Sequence, residues 1–159
     1  MPSYAYEDFT PGRTFDLGTT TVDPDEMIAF ARRFDPQPLH LDPDAAARSV
    51  LGGLCASGWY TACLWMRQWV DHVLTGSTSQ GSPGGSELSW PVPSFPGDVL
   101  TASCEVLGSR LSRRRPTLGL VDARALLLRG DDVVFRSTFV AMFATREQVA
   151  TKPSQRTIP

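Results

Sequence analysis

The sequence predicts an α+β fold in which an antiparallel five-stranded sheet wraps around one long helix. A strand-like run at residues 14–21 precedes a long apolar helix, and four further strand-like runs follow that helix. Strands grouped in this way, with short turns between them, are typical of an antiparallel sheet that packs against a helix. The chain has 159 residues, the size of one domain that buries its own core.

The first strand and the first helix are predicted from composition and capping signals. Residues 14–21 are rich in β-branched and apolar residues and follow a Pro11-Gly12 turn. Asp23 is a candidate N-cap, Pro24 takes the first helical position, and acidic residues fill the first turn. The apolar residues that follow recur at helical spacing, which predicts a face turned toward the core: Met27, Phe30, Ala31 and Phe34.

The segment from Asp35 to His40 is predicted to leave this helix as a stiffened loop. The prolines at 36 and 38 disfavour the helical conformation at the residues before them, so the backbone of the segment has little freedom. Asp42 is a candidate cap of a short second helix. An Asp and a His on a rigid segment can activate water, because histidine titrates near neutral pH and a carboxylate orients it. The alternative is that Asp35 caps a turn and His40 binds backbone.

A long helix is predicted from Ser57 to about Leu74, and it is apolar on nearly all sides, as a buried helix is. Ser57 is a good N-cap, so Gly58 takes the first helical position, where the backbone N–H has no partner inside the helix. Such an N–H at the positive end of the helix dipole can stabilise an oxyanion. An ordinary capped helix is the alternative.

The second half of the chain reads as a loop followed by four strands. Residues 76–85 have the Gly and Ser content of a mobile loop. Strands are then predicted at the following positions: 87–91, 99–108, 117–129 and 133–144. Gly130-Asp131-Asp132 marks the turn between the last two. We expect one domain over residues 1–146 and a disordered polar tail over residues 147–159.

Composition excludes several functional classes. The net charge is −2 with both signs mixed along the chain, which gives no basic surface for nucleic acid and no membrane-binding face. The sequence predicts no signal peptide, and we see no apolar span of 18 residues in it. Three cysteines without a C-x-x-C pair and two distant histidines form no metal site. These features favour a reducing cytoplasm, and Cys55 is expected to be a buried, unreactive thiol.

The spacing of these motifs resembles the MaoC-like dehydratase family, which includes the (R)-specific enoyl-CoA hydratases and has a hotdog fold. The motif is Asp35-x-x-Pro38-x-His40-x-Asp42-Pro43, followed by Gly52-Gly53 and by Ser57-Gly58 at a helix start. Residues 88–100 resemble the strand, proline-rich corner and Pro-Gly-Asp turn of the family. The resemblance extends from about Tyr6 to Thr145.

The resemblance implies a site and a reaction. Asp35 and His40 match the catalytic pair of the family, and Gly58 matches the glycine whose amide holds the thioester oxygen. This chain has Gln37 where members commonly have asparagine and Ser57 where they commonly have histidine, and we expect both residues to belong to the substrate-binding set. The implied activity is reversible hydration of an enoyl thioester, with an acyl-CoA or acyl-carrier substrate, no cofactor and no metal. The implied assembly is a homodimer, or a higher homo-oligomer, with the site in a cleft between subunits.

Three further points stay open from the sequence. Trp59 and Tyr60, near the start of the long helix, are candidate walls of an acyl pocket. The basic cluster at Arg110 and residues 113–115 is either a solvated hairpin tip or a contact for the phosphates of coenzyme A. The alternative functions are a hotdog acyl-CoA thioesterase, which the absence of an acid between Ser57 and Val70 disfavours, and a non-catalytic acyl-CoA-binding protein.

Overall fold

A computed structural model describes residues 3–151, and within them the chain folds into one antiparallel five-stranded sheet around a central helix. The strands lie in the order β1-β3-β4-β5-β2. Their bounds are β1 Thr14–Thr21, β2 Gly84–Ser89, β3 Val99–Leu111, β4 Leu118–Arg129 and β5 Asp132–Ala144. The predicted α+β architecture is therefore confirmed.

The helices are α1 Pro24–Phe34, α2 Pro38–Leu41, α3 Pro43–Ala47, α4 Gly58–Trp69 and α5 Arg146–Thr151. A short 3₁₀ helix, Tyr6–Asp8, precedes β1, and a π-helical turn, Val70–Leu74, continues α4. The cap predictions are confirmed, since the Asp23 carboxylate accepts hydrogen bonds from the first turn of α1 and Asp42 does the same for α3.

Four sequence-based expectations need correction. The segment after Asp35 is not a loop throughout, because Pro38 starts the one-turn helix α2. A proline suits the first position of a helix, and it disfavours the helical conformation of the residue before it. β2 begins at Gly84 inside the predicted mobile loop and ends at Ser89, since it pairs with β5 from Val140 to Arg136. β3 runs three residues further than expected, to Leu111. The predicted tail starts as helix α5, and residues 152–159 lie outside the described residues.

The core forms where one face of the sheet meets α4. Alternate residues of β3 and β4 are buried, which is the period of a strand with one face on the core. Trp65 and Trp69 of α4 are 3% exposed and stack with ring centroids 5.7 Å apart. Burial of aromatic side chains this large contributes much of the hydrophobic stabilisation of a domain. The start of α4 is thereby held in place, and the candidate site lies there.

Candidate active site

The Asp35 carboxylate is held on both of its oxygens. Asp35 ends α1, and its side chain is 18% exposed. Gln37 Nε2 donates a hydrogen bond of 2.7 Å to Oδ1, and Ser57 Oγ donates one of 2.7 Å to Oδ2. The hydrogen bond from Gln37 is the largest of the effects that lower the pKa of Asp35, with Ser57 and His40 adding to it against the opposing effect of burial. Asp35 is therefore a carboxylate at neutral pH.

His40 lies on α2 with one ring nitrogen committed and the other facing Asp35. The ring is buried, and Nδ1 is 2.9 Å from the backbone carbonyl oxygen of Cys55, so in the neutral ring Nδ1 carries the proton. Nε2 lies 3.4 Å from Asp35 Oδ2. This distance is longer than that of a good hydrogen bond. With the proton on Nδ1, the Nε2 lone pair is free to accept a proton next to the negative charge of Asp35.

The first helical residue of α4, Gly58, shares a cavity with His40. The cavity has a volume of about 250 Å³, and Thr61, Trp90 and residues 91–94 form most of its remaining wall. Within the described part of the chain, no group accepts a hydrogen bond from the Gly58 N–H, which is one of the unpaired donors at the start of every helix. Asp35 is not in the wall, and contacts the cavity residue His40 from outside it.

Ser57 joins the two halves of this site. Its side chain caps α4 by accepting a hydrogen bond from Trp59 N at 3.3 Å, and it also donates to Asp35. Ser57 is fully buried. The predicted N-cap therefore also positions the carboxylate, which couples the start of α4 to the end of α1.

Trp90 is a site residue that local sequence patterns do not single out. It follows the last residue of β2 and lies against Gly58, where a Cβ atom would come within 2.8 Å of Cε2 and 2.9 Å of Cδ2 of the indole. A side chain at position 58 would therefore collide with the ring. Gly58 is required by this packing as well as by access to its N–H. The contact joins residues 32 positions apart, which is why a local pattern does not reveal it.

Trp59 and Tyr60 lie outside the wall of this cavity. Trp59 is 57% exposed and packs edge-on against Trp90, with ring centroids 5.3 Å apart. Tyr60 is buried, and its hydroxyl donates a hydrogen bond of 3.2 Å to Glu26 of α1. Burial and the Glu26 charge raise the pKa of Tyr60, which keeps the phenol protonated. In the single chain, Tyr60 is a packing residue between α4 and α1.

The Cys55 thiol and the basic cluster lie outside the proposed chemistry. Burial raises the pKa of the Cys55 thiol, so it is neutral at physiological pH although Sγ lies 3.8 Å from His40 Nδ1. Arg110 pairs with Asp122 at 2.8 Å, and residues 113–115 are exposed in the β3–β4 connection, at the end of β3 opposite the cavity.

Among residues 3–151, no three His, Cys, Asp or Glu side chains are arranged to hold a metal ion. In the same residues no helix is long and apolar enough to cross a bilayer.

Comparison with known proteins gives the family. Residues 8–124 match the family model of the MaoC like domain. The match spans more than half of the chain, so the chain belongs to this family of hydratases and dehydratases.

Solved structures agree with this assignment. The MaoC-like dehydratase from Rhodospirillum rubrum is 38% identical, with a TM-score of 0.81 over 91% of this chain and 99% of that one. The (R)-hydratase from A. caviae involved in PHA biosynthesis is 28% identical, with a TM-score of 0.63 over 82% of this chain and 94% of that one. A double-hotdog protein from Mycobacterium tuberculosis, at 22% identity, has a TM-score of 0.76 over 95% of this chain and 46% of its own length. The fold is the hotdog fold.

Proposed function

We propose that the protein catalyses the reversible hydration of a trans-2-enoyl thioester. The observation that supports this most directly is the arrangement at one cavity. A carboxylate and an imidazole lie 3.4 Å apart, and the imidazole shares the cavity with the unpaired Gly58 N–H. Addition of water to an enoyl thioester needs two things: basic groups that activate the water, and a hydrogen-bond donor for the carbonyl oxygen.

The proposed reaction starts with water bound by Asp35 and His40. Both Asp35 Oδ2 and His40 Nε2 are acceptors, so a water molecule that donates one hydrogen to each presents its oxygen lone pair to the substrate. As that oxygen bonds to C3, the C2=C3 electron pair moves toward the thioester carbonyl. The developing negative oxygen accepts the hydrogen bond from the Gly58 N–H.

His40 carries the proton in this scheme. The charge of Asp35 is already stabilised by two donors, so the proton lost by water goes to Nε2, whose opposite nitrogen already donates to the Cys55 carbonyl. The imidazolium is stabilised by the adjacent carboxylate. The imidazolium then gives the same proton to C2. This step restores the neutral imidazole beside the Asp35 carboxylate and completes the addition of one water molecule. The reverse sequence is dehydration.

An apolar cavity beside α4 is proposed to take the acyl chain. It has a volume of about 370 Å³ and lies between α4 and β5, with Trp65, Met66, Trp69 and Phe139 among its lining residues. Phe135 also lines it and packs against Trp90 of the His40 cavity, with ring centroids 6.3 Å apart. The two cavities are therefore neighbours. An apolar cavity next to polar reacting groups is the usual composition of a ligand site.

The substrate, assembly and location are part of the proposal. The carrier is coenzyme A or an acyl carrier protein, no further cofactor takes part, and the protein works in the cytoplasm. The functional unit is a homodimer or a larger homo-oligomer. Two surfaces support self-association: the outer edge of β2, and the exposed apolar side chains Phe34, Trp59 and Met66 around a shallow hollow on α4.

Crotonyl-CoA hydration, followed as loss of enoyl absorbance, tests the function. Asp35→Asn and His40→Ala should each lower the rate by roughly a hundredfold or more. Both variants should keep the fold, which circular dichroism checks. Near-normal rates would remove the pair from the mechanism. Release of free thiol would instead indicate a thioesterase, and binding without turnover would indicate an acyl-CoA-binding protein.

A further inference from the structure

The indole N–H of Trp90 is a buried donor without a partner. Trp90 lines the cavity that contains His40 and Gly58. Its Nε1 atom is buried, and nothing among residues 3–151 accepts its hydrogen bond. Buried N–H groups are almost always paired in folded proteins, since leaving one unpaired costs folding free energy. An unpaired donor in the wall of a candidate site is explained if a ligand supplies the acceptor.

The Trp90 ring lies against Gly58. The Nε1 atom is 3.1 Å from the place that a Cβ of Gly58 would occupy. Neither the indole N–H nor the Gly58 N–H has an acceptor among residues 3–151, and both residues line the same cavity. Two donors directed at one oxygen form the usual arrangement that stabilises a developing oxyanion.

The chemistry of the indole defines what it can bind. Nε1 only donates, so the ligand atom must be an acceptor. The ring packs edge-on against Trp59 and at a tilt of 39° against Phe135. Neither neighbour carries an acceptor for the N–H. A carbonyl oxygen that binds the Gly58 N–H is the acceptor that the site would bring closest.

On the basis of the proposed hydration of an enoyl thioester, we propose that Trp90 is a further catalytic residue. Its ring turns within the wall that it already forms, and the Nε1–H donates a second hydrogen bond to the thioester carbonyl oxygen next to the Gly58 N–H. The bond strengthens as negative charge moves from the C2=C3 double bond onto that oxygen. No covalent bond to Trp90 forms at any point.

The substitution Trp90→Phe removes the N–H and keeps an aromatic ring. Its kcat for crotonyl-CoA should fall by about a hundredfold, the usual effect of losing one oxyanion donor. Tyr4→Phe is the control, because it also removes a polar hydrogen from a partly buried aromatic side chain, and Tyr4 packs against Phe15 and lines neither of the two proposed cavities. That variant should keep the wild-type rate. Equal rates for the two variants would overturn the proposal.

A measurement on the bound thioester separates donation from packing. In the wild type, the frequency of the thioester carbonyl stretch of bound butyryl-CoA, measured by isotope-edited infrared spectroscopy, should be lower than in solution. In Trp90→Phe this frequency should rise part of the way back to the solution value. Tyr4→Phe should leave it unchanged. Butyryl-CoA has no double bond to hydrate, so this readout holds even if the wild type does not turn over crotonyl-CoA. A stretch that Trp90→Phe does not move would overturn the proposal.

The wild-type chain provides a test that needs no variant, should Trp90→Phe not fold. The indole ¹H–¹⁵N resonance of Trp90 should move downfield when butyryl-CoA saturates the protein, because a hydrogen-bonded N–H is deshielded. The Trp65 indole N–H already donates to Ser103 O at 2.9 Å and serves as the internal reference, and its downfield movement should be smaller. A Trp90 resonance that stays in place at saturation would overturn the proposal.

Discussion

Asp35 is the residue on which the proposed chemistry depends most, and two neighbouring side chains maintain its charge. Gln37 and Ser57 each donate to one carboxylate oxygen at 2.7 Å. A shorter asparagine at position 37 would reach less far, and a histidine at position 57 would fill more space. The carboxylate is therefore oriented by an amide and a hydroxyl acting together.

The titration of the Asp35 carboxyl should report these two donors. The hydrogen bonds from Gln37 and Ser57 help to hold the pKa of Asp35 below its usual value. In Ser57→Ala or Gln37→Ala one donor is lost, so the pKa of Asp35 should rise. The ¹³C resonance of the Asp35 carboxyl, followed as the pH is lowered, measures this.

Ser49→Ala is the control for this experiment. Its hydroxyl donates to Ala46 O at 2.7 Å, in the turn after α3, and does not contact Asp35. The pKa of Asp35 in this variant should match that of the wild type. The lowered pKa also makes the stability of the fold depend on pH. Asp35 stabilises the folded state above its unfolded pKa, and this contribution is lost as the pH falls through the lower folded pKa. An unchanged pKa of Asp35 in Ser57→Ala would contradict the role given to that hydroxyl.

Gly58 should not tolerate even one added methyl group. Gly58→Ala places a Cβ 2.8 Å from the Trp90 ring, so either the ring or the start of α4 must shift. We expect a loss of about 1–3 kcal/mol in the free energy of unfolding together with most of the activity. Gly53→Ala is the control, because its Cβ would meet only Phe95 at an ordinary 3.7 Å. Urea denaturation compares the two, and equal stabilities would refute the packing argument.

The segment between β2 and β3, residues 90–98, is the element that closes the cavity. Ala56 N donates to Ser94 O at 2.9 Å, which ties the segment to the residues before α4. At its other end, Asp98 accepts hydrogen bonds of 2.8 Å from both Phe95 N and Arg129 Nη1. The Pro-Gly-Asp turn of the sequence motif is thus anchored to the end of β4 by a partly buried ion pair.

Asp98→Asn should loosen this segment. The substitution keeps the shape of the side chain but removes the charge that Arg129 pairs with, so we expect a loss of roughly 1–2 kcal/mol in the free energy of unfolding and a higher KM. Asp132→Asn tests the same arginine at a weaker contact of 3.4 Å, where the Asp132 side chain is 61% exposed. It should have little effect. If both variants unfold alike, the Asp98 pair does not anchor the segment.

The whole molecule has surfaces that a single chain leaves incomplete. β2 is an edge strand, and Phe34, Trp59 and Met66 are 62%, 57% and 47% exposed. Apolar side chains of this size that adjoin one another on a surface commonly mark a protein–protein contact. The hollow among them begins one residue after Gly58, so a second subunit seated there would adjoin the candidate site.

The proposed homodimer predicts a mass of about twice 17.4 kDa in solution. Light scattering after size-exclusion chromatography measures it. Met66→Lys should shift the population toward the monomer, because it puts a charge into the apolar hollow. Val50→Lys is the control, since Val50 is fully exposed and outside that hollow. A wild-type monomer at micromolar concentration would contradict the arrangement.

Local signals account for most of what could be predicted. The caps Asp23, Asp42 and Ser57 lie where their hydrogen bonds were expected, because a cap acts over only two or three residues. The strands were placed by composition and turn signals, which are also short-ranged. Errors arose at the ends of elements, as at Gly84, where pairing with β5 outweighs the low strand preference of glycine.

The amino-acid order therefore settled the starts of α1, α3 and α4 and the presence of the five strands. Through the family motif, it also gave the expectation that Asp35, His40 and Gly58 belong to one site. Packing between distant residues settled the rest. It brought Ser57 onto Asp35, turned His40 Nδ1 to the Cys55 carbonyl, took Tyr60 to Glu26 and laid Trp90 over Gly58. Each of these contacts joins residues 15 or more positions apart, and its geometry depends on how whole elements pack, which no short stretch of sequence encodes.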